Sequence, residues 1–193
     1  INKNIDDGEI ISVKKIIIER SHKISDIYKK IILNYSQMIE NIFKKTKIIF
    51  EKQKGTEKYF PKRYPSDSMI SWDNNMNKII FFINANSIPN PVSFTEINEE
   101  KIYIIEAVKF NWKFKKNYKI GEIAKVFLDK SFLVKCNDGF ILIKKWSSKK
   151  NFDIFKYEGK KCKFTKRKIH LKFILKKFKK KNPNKKISNY INV

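Results

Sequence analysis

This 193-residue chain has few of the residues that build covalent or metal-bound frameworks. It contains two cysteines, Cys136 and Cys162, and two histidines, His22 and His170, and it has no Cys-x-x-Cys pair. Neither a disulfide framework nor a zinc site is therefore indicated, and we expect no bound metal. So little cysteine also favours a reducing compartment, and we predict a cytoplasmic protein.

Long apolar runs are missing as well. No run approaches the roughly 18 residues that span a bilayer. The N-terminus lacks a basic region followed by an apolar stretch, so no secretion signal is visible and we expect no membrane partner. The chain begins at Ile1, without an initiating Met, from which we expect a fragment of a longer protein.

Acidic residues are scarce beside basic ones. Asp and Glu number 19 against 44 Lys and Arg, which gives a formal net charge of +25. Such a charge makes polyanions plausible partners through steering and counterion release. Lys, Ile and Asn are all overused, however, as in proteins from AT-rich genomes. Functional charge and compositional bias are both consistent with this surplus.

The chain is nevertheless apolar enough to fold. With 41% hydrophobic residues it can bury the core of one or two small domains. The β-branched stretch 9–18 predicts an extended segment. Apolar residues recurring at three and four predict an amphipathic helix from Asp26, capped by Ser25, to about Lys47. We expect it to cover one face of a sheet.

A polar stretch with Gly55, residues 51–58, predicts a loop or linker. A short helix follows, for which Asp73 is the expected cap and Pro89 with Pro91 the expected end. From Val92 the pattern changes to short β-branched and aromatic runs at 92–97, 101–108, 120–128, 131–135 and 140–145. Asp138-Gly139 predicts a hairpin with positive φ. Such spacing predicts a small closed or half-closed barrel.

Three motifs occur in a distinctive order. The first eight residues read INKNIDDG, the turn Arg63-Tyr64-Pro65-Ser66-Asp67-Ser68 precedes Ile70-Ser71-Trp72, and a short helix then ends in Pro89-Asn90-Pro91 before a strand. This order, over about residues 1–150, resembles the formyltransferase family of methionyl-tRNA formyltransferases and their relatives that formylate aminosugar nucleotides.

The resemblance implies an α/β plus β organisation. Residues 1–58 would form the C-terminal end of a Rossmann-like formyltransferase domain, and residues 59–91 a linker with a short helix. Residues 92–160 would form a small OB-like β-barrel. Residues 161–193 would be a basic extension, either an arm that contacts phosphate or a solvated tail.

The resemblance also implies a reaction, the transfer of a formyl group from 10-formyltetrahydrofolate to a primary amine. Asp6 corresponds to the family's catalytic aspartate, Gly8 to its turn glycine and Asp7 to the variable position between them. Arg63 and Asp67 are predicted to be structural or close to the substrate. A salt-bridged turn would explain that pair as well as substrate contact.

The family's other catalytic residues, an Asn and a His two positions apart, have no counterpart, because no Asn-x-His occurs in the chain. The chain is then either a fragment, lacking most of the folate pocket and inactive alone, or a degenerate homologue.

The turn Arg63–Ser68 resembles that of the enzymes for aminosugar nucleotides and favours such a substrate, whereas Pro91-Val92-Ser93-Phe94 resembles the enzymes that act on initiator tRNA. The family's Ile-Arg-Ala is here Ile83-Asn84-Ala85. A non-enzymatic, basic, OB-like module that binds nucleic acid is the alternative from another class.

Overall fold

The computed structural model describes residues 6–55, 62–112, 114–163, 175–181 and 183. The N-terminal part contains one helix, α1, at Ile24–Phe43. The predicted amphipathic helix is thus confirmed, starting two residues earlier and ending earlier than expected. The predicted cap at Ser25 is wrong, because the helix begins after Lys23. Asp26 closes this first turn instead, since its Oδ2 accepts a hydrogen bond from the Lys23 N–H at 3.0 Å.

Part of the stretch predicted to be a linker packs against the five-stranded sheet described below. Ile70 and Trp72 are fully buried in its core. The Ile70 N–H donates to the Phe94 carbonyl at 2.8 Å. Trp72 Nε1 donates to Thr95 Oγ1 at 3.1 Å, and that hydroxyl donates to the Lys163 carbonyl at 3.1 Å. The Ile-x-Trp motif is therefore bonded to the first strand and, through Thr95, to Lys163. The indole N–H has a hydrogen-bond partner, as is usual for a buried tryptophan.

Helix α2, at Met76–Ala85, packs against this core through Ile79 and Ile83. The predicted helix is confirmed, but its cap is Asn75 and not Asp73. Asn75 Oδ1 accepts from the Lys78 N–H at 2.9 Å, which satisfies one of the free donors of the first turn.

Five antiparallel strands form one sheet in the order β1-β2-β5-β4-β3. All five predicted strands are confirmed, with shifted ends. Their bounds are Phe94–Ile97 for β1, Glu100–Phe110 for β2, Ile123–Val126 for β3, Phe132–Lys135 for β4 and Phe140–Ser148 for β5.

The sheet curls until its two edges meet the same segment. Beyond a 3-10 turn at Ile154–Tyr157, Lys161 pairs with Glu122 beside β3, and Lys163 pairs with Glu96 in β1. The Lys163 N–H donates to the Glu96 carbonyl at 2.6 Å. These bridges cover part of each edge, where an open sheet would leave backbone groups unpaired. The OB-like topology and the Rossmann-like origin of residues 1–58 stay predictions, as do the domain boundaries.

Positive φ angles lie in hairpins other than the one expected. Asn98 and Glu99, with φ of 49° and 66°, connect β1 to β2, as a two-residue type I′ turn requires. The prediction of positive φ at Asp138-Gly139 is wrong. A Cβ at Gly139 would lie 2.8 Å from the Sδ and Cε atoms of Met76, so a larger residue there would require the flexible end of that side chain to move.

Most of the basic C-terminal extension lies outside the described residues, so the choice between arm and tail is not tested. Among its described residues, 175–181 are helical. Among the described helices, none combines the length and the apolar character needed to cross a membrane.

Candidate functional site

The predicted catalytic turn, Asp6-Asp7-Gly8, lies at the start of the described chain, with both aspartates exposed and Gly8 partly buried. Asp6 has a φ of 60°, in the left-handed region that aspartate adopts more readily than most residues. The Gln53 side chain spans the turn, because its Nε2 donates to the Asp6 carbonyl at 2.9 Å and to the Gly8 carbonyl at 2.7 Å. One amide group thus uses both its protons to hold one turn.

A short antiparallel pairing brings Gln53 to this place. The Ile10 N–H donates to the Glu51 carbonyl at 2.8 Å, and the Glu51 N–H donates to the Ile10 carbonyl at 2.9 Å. With Ile10 opposite Glu51, antiparallel register places residue 53 opposite residue 8. The side chain of Gln53 there takes the place of the backbone donors that would continue the pairing.

Arg63, the first predicted linker residue, belongs to a polar cluster between α2 and the strand entry. Its Nη2 donates to Asn86 Oδ1 at 3.2 Å. Ser68 Oγ also lies 3.4 Å from that oxygen, and 3.2 Å from the Pro91 carbonyl. Asn86, only 6% exposed, donates from Nδ2 to the Phe82 carbonyl at 2.8 Å. Arg63 thus satisfies a buried amide, as buried polar groups require.

Asp67, the second predicted linker residue, closes the turn in which it lies. Its Oδ2 accepts from the Tyr64 N–H at 2.7 Å, and its own N–H donates to the Tyr64 carbonyl at 2.9 Å. This is a capped 3-10 turn, Pro65–Ser68. The contacts of Arg63 and Asp67 account for a structural role for each, and proximity to a substrate stays a prediction.

Sequence reasoning missed Gln53 and Asn86. Gln53 lies in a polar stretch that predicts a loop, and its importance depends on pairing with residues more than 40 positions away. A signal existed for Asn86, since a polar side chain between an apolar helix and a Pro-x-Pro turn can satisfy the helix's last carbonyls.

The two cysteines are structural. Both are buried, and burial raises the pKa of the Cys136 thiol to about 11 and that of Cys162 to about 12. Both thiols are therefore protonated at neutral pH and pack as small apolar groups. Within the described residues, no group of three or more His, Cys, Asp or Glu side chains could hold a metal ion.

Known proteins share this architecture. Residues 63–161 match the family described as formyl transferase, C-terminal domain. The bifunctional polymyxin resistance protein ArnA of Wigglesworthia glossinidia brevipalpis is 30% identical over 112 residues, which cover 54% of this chain and 16% of that protein.

Solved structures of HypX from Aquifex aeolicus show a similar fold. A multiply substituted variant has a TM-score of 0.57 at 15% identity, covering 78% of this chain and 26% of that one. The complex of HypX with tetrahydrofolic acid has a TM-score of 0.57 at 14% identity, covering 77% and 26%. The chain thus spans about a sixth of the ArnA relative and about a quarter of HypX. Because the family match covers about half the chain and includes the whole curled sheet, this chain belongs to the formyltransferase family as a C-terminal portion.

Proposed function

We propose that this chain is part of an N-formyltransferase that moves a formyl group from 10-formyltetrahydrofolate to a primary amine. The observation that carries the proposal is the family match at residues 63–161, preceded by the Asp6-Asp7-Gly8 turn of the resemblance. The complex of a structurally similar protein with tetrahydrofolic acid supports a folate donor.

Asp6 would supply the proton chemistry. Transfer requires a neutral amine, a proton acceptor as the nitrogen attacks the formyl carbon, and donors for the negative charge that develops on the formyl oxygen. The Asp6 carboxylate, exposed on a turn that Gln53 holds, suits the role of proton acceptor. The oxyanion donors of the family, an Asn and a His, do not occur as a motif in this chain. We therefore expect that this polypeptide alone does not catalyse formyl transfer.

An aminosugar nucleotide is the acceptor that we propose. The ground is the turn Arg63–Ser68 followed by Ile70-Ser71-Trp72, which resembles the version in enzymes for aminosugar nucleotides. The contacts of this turn, with Arg63 on Asn86 and Asp67 on Tyr64, make it a rigid element beside the entry to the curled sheet.

Initiator Met-tRNA is the second candidate, and charge favours it. Beyond the net charge of +25, the helix at residues 175–181 carries exposed lysines on successive turns at 176, 177, 179, 180 and 181. Neutralisation of phosphates by such residues supplies most non-specific affinity for nucleic acid.

Product analysis with both acceptors tests the proposal. The complete natural protein is incubated with 10-formyltetrahydrofolate and either a nucleotide-linked aminosugar or initiator Met-tRNA, and the new formamide is quantified by mass spectrometry. We expect kcat/KM for the sugar to exceed that for the tRNA by at least about tenfold, as for a pocket that pairs a substrate's polar groups. A preference for tRNA would establish the second candidate, and no formamide with either would contradict the proposed function.

Binding of tRNA at two salt concentrations separates the basic-module alternative. If several lysines contact phosphates, affinity for tRNA should fall about a thousandfold as the salt concentration rises from roughly 50 to 200 mM. Steep weakening together with no formamide would favour a nucleic-acid-binding module without catalysis. The absence of tRNA binding at either salt concentration would leave the sugar enzyme ahead.

A further inference from the structure

Gln53 holds the turn that carries the candidate catalytic aspartate, and it does so with both protons of its amide group. The donors reach two carbonyls on the same turn, at 2.9 Å on Asp6 and 2.7 Å on Gly8. Both distances are those of good N–H···O bonds. Since a single side chain binds residues i and i+2, it fixes the path of the backbone between them.

The turn needs such support. Asp6 occupies the left-handed region with a φ of 60°, a conformation that an isolated non-glycine residue rarely keeps unless its surroundings determine it. None of residues 6–55 is buried, so packing does not provide that support. The bonds from Gln53 constrain the Asp6 backbone, and the pairing of Ile10 with Glu51 holds the segment that follows it.

From this geometry we infer that Gln53 is a positioning residue for the Asp6 carboxylate. The inference rests on the proposed function, because the position of Asp6 matters only if Asp6 moves a proton during formyl transfer. Gln53 does not touch the reacting atoms in this account. Its amide sets the backbone conformation at Asp6 and therefore the direction in which the carboxylate leaves the turn. Loss of the Gln53 amide would therefore misplace the carboxylate, which lowers the rate of the chemical step more than it lowers substrate affinity.

Three substitutions in the complete natural protein separate donation from shape. Gln53→Leu keeps similar bulk and removes the donors. Gln53→Lys keeps N–H donors on a flexible arm, whereas Gln53→Glu places a carboxylate against two carbonyl oxygens. The matched control is Gln37→Leu, since Gln37 lies on α1 and its side-chain oxygen contacts Lys14 Nζ at 3.4 Å.

Kinetics and local hydrogen exchange are measured together. For Gln53→Leu we expect kcat to fall about tenfold, as for the loss of two hydrogen bonds, with KM for both substrates changed by less than about twofold. Gln53→Lys should retain more activity than Gln53→Leu, and Gln53→Glu the least. Amide exchange should become faster in residues 6–10 but not in the curled sheet. Gln37→Leu should match the unmodified protein in both measurements.

Several results would overturn the inference. Unchanged kcat in Gln53→Leu, a Gln53→Lys variant no better than Gln53→Leu, or a uniform rise in exchange across the whole protein would each exclude a positioning role. An unmodified protein that forms no formamide would contradict the proposed function and the catalytic part of the inference with it. Faster exchange at residues 6–10 in Gln53→Leu would then still establish that Gln53 holds the turn, and unchanged exchange would reject that as well.

Discussion

Residues 6–55 and residues 62–163 use apolar side chains in opposite ways. In the first region no residue is buried, although α1 is amphipathic, and Leu33 remains 67% exposed. In the second, side chains from the predicted linker, α2 and all five strands form the larger of two buried clusters, which includes the fully buried Trp72 and Phe132. The core thus stabilises the second region, whereas hydrogen bonds between residues 6–10 and residues 51–53 hold the two ends of the first together. Substitutions should therefore affect activity in one region and stability in the other.

The largest expected effect on stability is that of Trp72→Ala. Removal of a fully buried tryptophan should lower the free energy of unfolding by about 3–5 kcal/mol, because a cavity opens and the bond to Thr95 is lost. The matched substitution in the other region is Leu33→Ala, for which we expect a change within about 0.5 kcal/mol.

Chemical denaturation of this chain measures both substitutions. Equal costs for the two would contradict the difference between the regions. A cost above about 1 kcal/mol for Leu33→Ala would mean that the face of α1 that carries Leu33 packs against another surface in solution.

A smaller effect is expected where the sheet caps a helix. Asp138, in the turn between β4 and β5, accepts the Met76 N–H at the start of α2 through Oδ1 at 2.7 Å. Asp138→Ala should cost about 1 kcal/mol, as the loss of a helix cap does.

Its control is Asn137→Ala, because Asn137 donates its backbone N–H to the Asn74 carbonyl and the substitution keeps that bond. We expect a change within about 0.5 kcal/mol for the control in thermal or chemical denaturation. A control as destabilised as Asp138→Ala would mean that the turn, and not the cap, sets the cost.

The smallest prediction has the opposite sign. Glu99 holds a φ of 66° in the two-residue turn between β1 and β2, and glycine adopts that conformation without the steric cost of a Cβ. Glu99→Gly should therefore raise stability by roughly 0.5 kcal/mol, although the added freedom of the unfolded chain offsets part of the gain. A clear loss in denaturation experiments would indicate that the Glu99 side chain contributes contacts of its own.

The predictability of the two regions also differs, for physical reasons. Strands and helices of the second region follow from periodicity, since a buried face leaves a pattern of period two or between three and four. The caps of α2 do not follow from the sequence. Asp73 and Asn75 are both suitable capping residues by type and position, and Asp138 reaches the helix from 62 residues away. Asp6 depended on the family resemblance alone. Gln53 could not be predicted, because a donor that binds across 45 and 47 residues has no local pattern.

The substitution Asp6→Asn in the complete natural protein tests the central claim most directly, with formamide production and unfolding measured on the same sample. The account predicts a fall in kcat of about a hundredfold to ten-thousandfold, as for loss of a proton-transfer group, with the free energy of unfolding unchanged within about 0.5 kcal/mol. The neighbouring carboxylate substitution Glu9→Gln should leave both unchanged. An Asp6→Asn protein with the kcat of the unmodified protein would contradict the account.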